Sequence, residues 1–312
     1  MIHVISPGMF TTVQDLGRYG YGPLGVSPSG AADPIALRLG NRMVGNLESA
    51  AALEMTLLGG KFLFPEGGLI ALTGSDFGGT INGRPVAPWT PAIVAPGARV
   101  DTGPTRSGAR CYLCVHGGIA VKLLLASAST HMLTGLGGFE GRALRKSDVV
   151  QVGPAHEAAP ATIPLEILDR LRPRKILRAT VAPQTAWFSK ESIARFYSSV
   201  YRVTEESNRM GLRLEGAELE TPHSGQMTSE GVSLGAVQVP AGGQPIILFV
   251  EQQTTGGYPK IANVIAADLP SVGQLRPNDV IRFELTSPEE AQTLIREQER
   301  MLQQIASSFT GI

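Results

Sequence analysis

Cysteine, charge and long apolar runs are all scarce in this 312-residue chain, and each scarcity narrows what it can be. The only cysteines are Cys111 and Cys114, in RCYLCVHGG. A C-x-x-C spacing raises a metal or redox site, but Ala109 to Val115 reads as a strand, where residues three apart face opposite ways. One pair does not complete a four-ligand zinc site, and nearby His116 stands alone, so two buried structural thiols are expected. The five histidines (His3, His116, His131, His156 and His223) are scattered, and no metal site is expected from them. Charged residues make up 17%, with Lys+Arg (27) equal to Asp+Glu (27). That balance leaves no basic footprint for nucleic acid and no polybasic membrane patch. No apolar run is long enough to span a bilayer, and MIHVISPGMF lacks a basic region followed by an apolar stretch. A soluble cytoplasmic protein is the expectation. The motifs G-x-x-x-x-G-K-[ST], G-x-S-x-G and H-E-x-x-H are missing as well. So is the Met-Lys-Met of a biotin carrier, so any biotin would come from a partner.

What is present suits a mainly β chain of two medium domains. Glycine (37) and proline (22) are plentiful and dispersed, as in short strands joined by turns. FLFPEGG, LIALTG, TINGRPV and ARCYLCV read as strands, with Asn82–Gly83 a hairpin turn. Residues 6–33 are glycine-punctuated and read as a loop ending at Asp33–Pro34, an N-cap followed by proline. The helix IALRLGNRMVG follows, with Ile35, Leu39 and Met43 on one face and Gly45 as its stop. Asp33 reads equally as a cap alone or as a functional acid. Ser189 caps a helix carrying Ile193, Phe196 and Tyr197. Ser287–Pro288–Glu289–Glu290 is a capping box, and it opens a helix with an apolar stripe of Ala291, Leu294, Ile295, Met301, Leu302 and Ile305. The stripe is expected to dock on its own domain. An Ala- and Pro-rich stretch, 154–175, reads as a linker with one short helix, placing the domains at 1–153 and 176–312. A faint repeat supports duplication: Leu144–Val150 (LRKSDVV) matches Leu275–Ile281 (LRPNDVI), each preceded by Gly-Gly-aromatic at Gly137-Gly138-Phe139 and Gly256-Gly257-Tyr258.

The most informative stretch is Pro245–Asp268. PIILFV reads as a strand buried on both faces, followed abruptly by the polar EQQTTGGYPK. Two glycines after two hydroxyls let the backbone aim N–H groups at a carbonyl or an anion. Glu251 and Lys260 bracket the turn with the charges that proton transfer or carboxylate binding uses. A strand, a turn and a solvated charged rim is the plainer reading, and spacing alone does not separate the two. Other polar clusters beside glycines are Gln14–Arg18, Ser29–Asp33, Gly138–Arg142, Asn208–Arg213 and Ser229–Gln238. Together they suit a small polar amide or carboxylate, with arginines for carboxylates and backbone N–H groups for oxyanion charge.

VQDLGRYGYGPLGVSPSGAAD, NRMVGNLESAAALE, GLGGFEGRALRKSD, ESNRMGLRLEG, TSEGVSLGAVQVP and QTTGGYPKIANVIAAD together resemble the KipA family. This family is also described as allophanate hydrolase subunit 2, or as subdomains A and B of the carboxyltransferase domain. The resemblance runs from near Ile5 to near Ala291 and implies two tandem cyclophilin-like β-barrel domains. It implies partners too: a KipI-like chain and a LamB/YcsF-like chain, joined as an ATP-dependent 5-oxoprolinase that opens 5-oxo-L-proline to L-glutamate. The ATP site would lie on, or be shared with, a partner. Relatives within urea amidolyase instead imply carboxyl transfer from a partner's carboxybiotin to urea. A third implied role is a regulatory module binding a KipI-like kinase inhibitor without turnover. On this basis Lys260, Glu251 and Asp33 are expected to transfer protons or position carboxylates. Arg18, Arg142 and Arg209 are expected to bind anionic groups. Ser29, Gln238, Gln253, Thr254, Thr255, Gly256, Gly257 and Tyr258 are expected to shape the substrate pocket. The chain departs from the family's Asp-Arg-Gln-Thr-Thr at Glu251-Gln252, and from its Leu-Gly-Ser-Arg-Ser-Thr at Ala126 and Ala128. It also has Ala182-Pro183-Gln184 for the usual Gly-Pro-Gln. Two arginines are thereby lost.

Overall fold

The run RCYLCV forms the strand Arg110–Val115, and every residue in it is buried. Its neighbours explain why. In a computed structural model describing residues 1–154, 162–221 and 225–308, this strand is the centre of a five-stranded antiparallel sheet. The order is Phe10–Gln14, Ala52–Thr56, Arg110–Val115, Gly68–Gly74, Pro91–Val94. One face packs on a seven-stranded sheet that includes Ile2–Ser6, Lys61–Phe64, Ala98–Asp101 and Val149–Val152. Ile2, Phe62, Phe64 and Val100 from that sheet meet Leu53, Met55, Ile70 and Leu113 in one core. The opposite face is covered by the helix Pro34–Met43, through Leu37, Leu39 and Met43 against Tyr112 and Cys114. Cys111 therefore lies in one core and Cys114 in the other, as alternation along a strand requires. Burial pushes both thiols up, Cys114 to about 12, so neither is a nucleophile.

Local signals build that helix as anticipated. Asp33 Oδ1 accepts from the Ala36 N–H at 3.0 Å, Pro34 occupies the first turn, and Gly45 at φ +76° follows the end. Gly40 lets the helix approach the sheet, because a Cβ there would lie 2.6 Å from both Cys114 Sγ and Thr73 Oγ1. Asn82 and Gly83, both at positive φ, turn the hairpin between Thr80–Ile81 and Arg84–Pro85.

The chain divides into two compact units, and two segments cross a simple midpoint cut. The first unit holds residues 1–18 and 29–172 together with 302–308, and the second holds 19–28 and 173–301. In the second unit seven strands close a barrel in the order Ile176–Val181, Lys260–Val264, Ala236–Gln238, Ile246–Leu248, Gly211–Gly216, Tyr201–Val203, Val280–Leu285. Parallel pairing of Ile176–Val181 with Val280–Leu285 completes the circle. In the first unit the ladders run instead in two sheets facing each other over one core. Ser189 accepts from Ser192 N–H and starts the helix Lys190–Ser198, whose Phe196 stacks on Phe283 at 4.4 Å. The run PIILFV is a strand only at Ile246–Leu248. Beyond it the backbone leaves the ladder, and the N–H groups of Phe249 and Glu251 bond the carbonyls of Met210 and Arg209.

Ser287 caps the last helix, Pro288–Ser308, as its capping box predicts. The apolar stripe is fully buried only at Leu302 and Ile305, which join the first unit's helix-side core. These two residues group with the first unit, while the helix up to Met301 groups with the second. The short helix expected in the linker is Leu165–Arg170. Residues 155–161, with His156, and His223 lie outside the described residues. Among the described residues no helix is long and apolar enough to cross a membrane.

The sequence repeat is reproduced bond for bond at LRKSDVV and LRPNDVI. Asp148 Oδ2 accepts from Arg145 N–H at 2.7 Å, and Asp279 Oδ2 from Arg276 N–H at 2.8 Å. Ser147 and Asn278 both take positive φ, at 75° and 70°. Each donates its N–H at 2.8 Å to a strand carbonyl, Val4 and Val203, and those valines donate back to Asp148 and Asp279 at 2.9 Å. The Gly-Gly-aromatic match does not extend this far. Gly137 and Gly138 are left-handed, whereas Gly256 lies in a short strand outside the positive-φ region.

Candidate functional site

The polar turn after Leu248 returns to the barrel through a two-stranded ribbon, Glu230–Gly231 with Thr255–Gly256, in which Glu230 sits opposite Gly256. The next strand begins at Lys260, opposite Gln238. This register joins three segments distant in sequence. Lys260, 3% exposed, pairs its ammonium with Glu230 Oε1. That hydrogen bond from Lys260 holds the Glu230 carboxyl below its ordinary range. Burial opposes the shift, and a bond from Gln184 adds to it. Gln184 Nε2 donates to the same Glu230 oxygen at 3.0 Å. Gln238 Oε1 accepts from Gln253 Nε2 at 3.5 Å. Gln252 Nε2 donates to the Val232 carbonyl at 3.3 Å. In this cluster three carboxamide atoms are buried without a partner: Gln184 Oε1, Gln238 Nε2 and Gln252 Oε1. Gly257 accepts the Met227 N–H through its carbonyl, Val232 N–H bonds Thr254, and Tyr258 stands 40% exposed at the rim.

Glu251 does not join Lys260. It pairs with Arg209 Nε at 2.5 Å, the two side chains being 3% and 6% exposed. Two residues expected in separate roles therefore neutralise each other inside the second unit. A buried pair of this kind is costly to break, which is a structural duty in itself.

The first unit holds a second polar cluster. Asp15 accepts from Gly17 N–H at 2.8 Å, Ser127 Oγ at 2.7 Å, Ala128 N–H at 2.6 Å and Ser129 Oγ. Arg18, 2% exposed, donates to the Ser129 carbonyl, to Ser29 Oγ at 3.3 Å and to the Leu124 carbonyl at 3.5 Å. Gly137 admits that guanidinium, since a Cβ there would come within 2.6 Å of Arg18 Nη2. Arg142 is engaged by Asp148 at 2.8 and 3.0 Å and by Glu140 at 2.7 Å, and it lies 5.0 Å over the Phe139 ring. Its expected ligand anion is replaced by two carboxylates of its own unit. Asp33 acts as the helix cap, and its N–H bonds the Tyr112 hydroxyl, which in turn donates to the buried Glu54. Beside this cluster a cavity of about 520 Å³ opens, lined by residues that include Val121, Leu123, Leu124, Gly137 and Phe139. Among the described residues no three His, Cys, Asp or Glu side chains could hold a metal ion.

Of the expected site residues, the structure thus gathers Lys260, Gln238, Gln253 and Gly256 into one constellation. Sequence reading missed its other members, Glu230 and Gln184. Glu230 is marked in the sequence only by its place in the polar Ser229–Gln238 cluster. Gln184 stands out in the sequence only through the Ala182-Pro183-Gln184 departure.

The family model for the carboxyltransferase domain, subdomain A and B, matches residues 24–285. The C component of the Haemophilus influenzae 5-oxoprolinase is 37% identical over 309 residues, covering 98% of this chain and 97% of that protein. The C component of the Escherichia coli 5-oxoprolinase is 37% identical over 306 residues, covering 98% of each. Among solved structures, the Kluyveromyces lactis urea carboxylase superposes with a TM-score of 0.92 at 33% identity. That match covers 97% of this chain but only 29% of the larger enzyme.

Proposed function

This chain belongs to the carboxyltransferase domain family, subdomains A and B, and from that premise we propose that it is the C component of an ATP-dependent 5-oxoprolinase. Two near-full-length relatives carrying that name support the reading. The observation that carries it within the molecule is the Lys260–Glu230–Gln184 constellation beside Gln238. A buried ammonium donates to a ligand carbonyl or carboxylate more strongly than it would in water. Glu230 is held ionised by Lys260, so it keeps the ammonium charged and in place and accepts from Gln184. The surrounding carboxamides have the polarity of a small amide. The proposed reaction opens the 5-oxo-L-proline ring to L-glutamate with ATP and water.

We place the ATP site on, or shared with, a partner, because the three arginines expected to bind anions are already engaged within this chain. Arg142 and Arg209 are held by carboxylates, Arg18 by hydroxyl and carbonyl oxygens, and the N-terminus of Pro34–Met43 by Asp33. A KipI-like and a LamB/YcsF-like chain are the proposed partners. The test is glutamate release from 5-oxoproline and ATP by the reconstituted assembly. Activity lost on omitting this chain and unaffected by avidin supports the reading. A stable assembly without turnover overturns it. The similarity to a urea carboxylase favours one second reading, carboxyl transfer to a small amide from a biotinylated partner, which predicts inhibition by avidin.

A further inference from the structure

We propose that Gln184 and Gln238 form an amide-recognition pair, Gln184 Oε1 accepting the N–H and Gln238 Nε2 donating to the C=O of one cis-amide edge. The ligand class is a lactam, urea or related compound that shows a donor and an acceptor side by side. This inference rests on reading the second unit's constellation as an amide-handling site.

Three observations carry it. Both atoms are buried and unpartnered, on side chains 4% and 1% exposed. Buried carboxamide atoms without partners are rare in a folded protein, and of the three in this cluster Gln184 Oε1 is an acceptor and Gln238 Nε2 the one donor. Second, the Gln184 orientation is fixed by its neighbour. The Glu230 carboxylate only accepts, so the Gln184 amide turns its NH₂ group to it and leaves the oxygen over. Third, the fold clears space for the Gln238 amide. A Cβ on Gly256 would lie 2.5 Å from Gln238 Nε2, although Gly256 has no left-handed backbone to explain a glycine. Lys260 and Glu230 link the two glutamines, one opposite Gln238 in the ladder and the other bonded to Gln184.

The test measures dissociation constants of the full chain, alone and in the reconstituted assembly, for 5-oxo-L-proline and its N-methyl derivative. Urea and tetramethylurea form a second pair. A site that hydrogen-bonds an N–H rejects the analogue lacking it, so the N–H form is expected to bind at least about tenfold tighter. In Gln184→Met, with an unfolding midpoint close to that of the natural chain, this ratio is expected to fall to about onefold. In Gln238→Leu both ligands weaken and the ratio is kept. The wild-type comparison needs no variant: equal affinity for N–H and N-methyl forms, or no binding of either pair, overturns the proposal. An unchanged ratio in Gln184→Met overturns it too. N–H discrimination in an assembly that does not turn over 5-oxoproline keeps this inference while removing the 5-oxoprolinase reading. Turnover with no discrimination does the reverse.

Discussion

Lys260 and Glu230 form an ion pair across the mouth of a barrel ribbon in which one partner is buried and the other reaches solvent. Their side chains are 4% and 41% exposed. The pair gives the site a pH signature with a definite sign. Hydrogen bonding from Lys260 depresses the folded pKa of Glu230 below its usual 4.5. Its contribution to stability is therefore complete above that value and is lost as pH falls through the lower folded value. Wild-type chain should lose urea resistance on acidification from pH 4.5 downward more steeply than Glu230→Gln, whose residue 230 does not titrate. Asp148 and Glu48, also depressed, act equally in both proteins and cancel in the comparison. Parallel curves would mean that the pair makes no difference to folding.

The Arg209–Glu251 pair makes a different prediction because both partners are enclosed. Removing one leaves a buried charge without its main counter-ion, so Arg209→Ala should cost about 3–5 kcal/mol of stability. The double change Arg209→Met with Glu251→Leu should cost less than Arg209→Ala, since it removes both charges at similar volume. Chemical denaturation of the three proteins decides this. A single variant as stable as wild type would restore Arg209 as a residue free to serve a ligand.

Much of this architecture is legible in the sequence wherever a local rule acts. Asp33, Ser189 and Ser287 cap helices because a short oxygen-bearing side chain meets an orphan N–H within three residues. Alternation along a strand sends Cys111 and Cys114 apart. The turn shared by LRKSDVV and LRPNDVI depends on one aspartate and one left-handed residue, both visible in seven letters. The lysine's partner is not of this kind. Glu230 lies thirty residues before Lys260 and reaches it only through the ribbon's register, which no local period encodes. Residues 19–28 belong to the second unit for a similar reason: a glycine-rich segment carries no periodicity to say where it packs. The strand starting at Ile246 ends early because Phe249 and Glu251 find carbonyl partners off the ladder, although the apolar run continues.

Gly256 and Gly231 lie one register step apart on the ribbon and should respond oppositely to alanine. A Cβ at Gly256 meets Gln238 Nε2 at 2.5 Å and Val232 Cγ1 at 3.1 Å. The Gln238 carboxamide is the movable party, so Gly256→Ala should fold at a cost of about 1–3 kcal/mol while pushing it out of position. Turnover should then fall as in a Gln238 variant. Nothing lies within 4 Å of a Cβ at Gly231, and Gly231→Ala should leave turnover intact. Equal activity in the two variants would contradict the packing role given to Gly256.

The last prediction concerns strain beside the Asp15–Arg18 cluster. Leu124 and Ser127 exchange both backbone hydrogen bonds, at 2.9 and 3.1 Å, around a two-residue turn. The enclosed Leu125 and Ala126 take φ of 51° and 60°. Such a turn needs two left-handed residues and favours glycine or asparagine, and a residue bearing Cβ carries a penalty of about 1–2 kcal/mol there. The resembled family has glycine where this chain has Ala126. Ala126→Gly should therefore stabilise the chain by about 0.5–1 kcal/mol, after allowing for glycine's greater freedom in the unfolded state. That corresponds to a rise of about 1–3 °C in Tm. Turnover should not change, because Leu124 and Ser127 keep the bonds that present them to Arg18 and Asp15. A lower Tm would show that the turn is relaxed as it stands. A higher Tm with lost turnover would show that the strain serves the site.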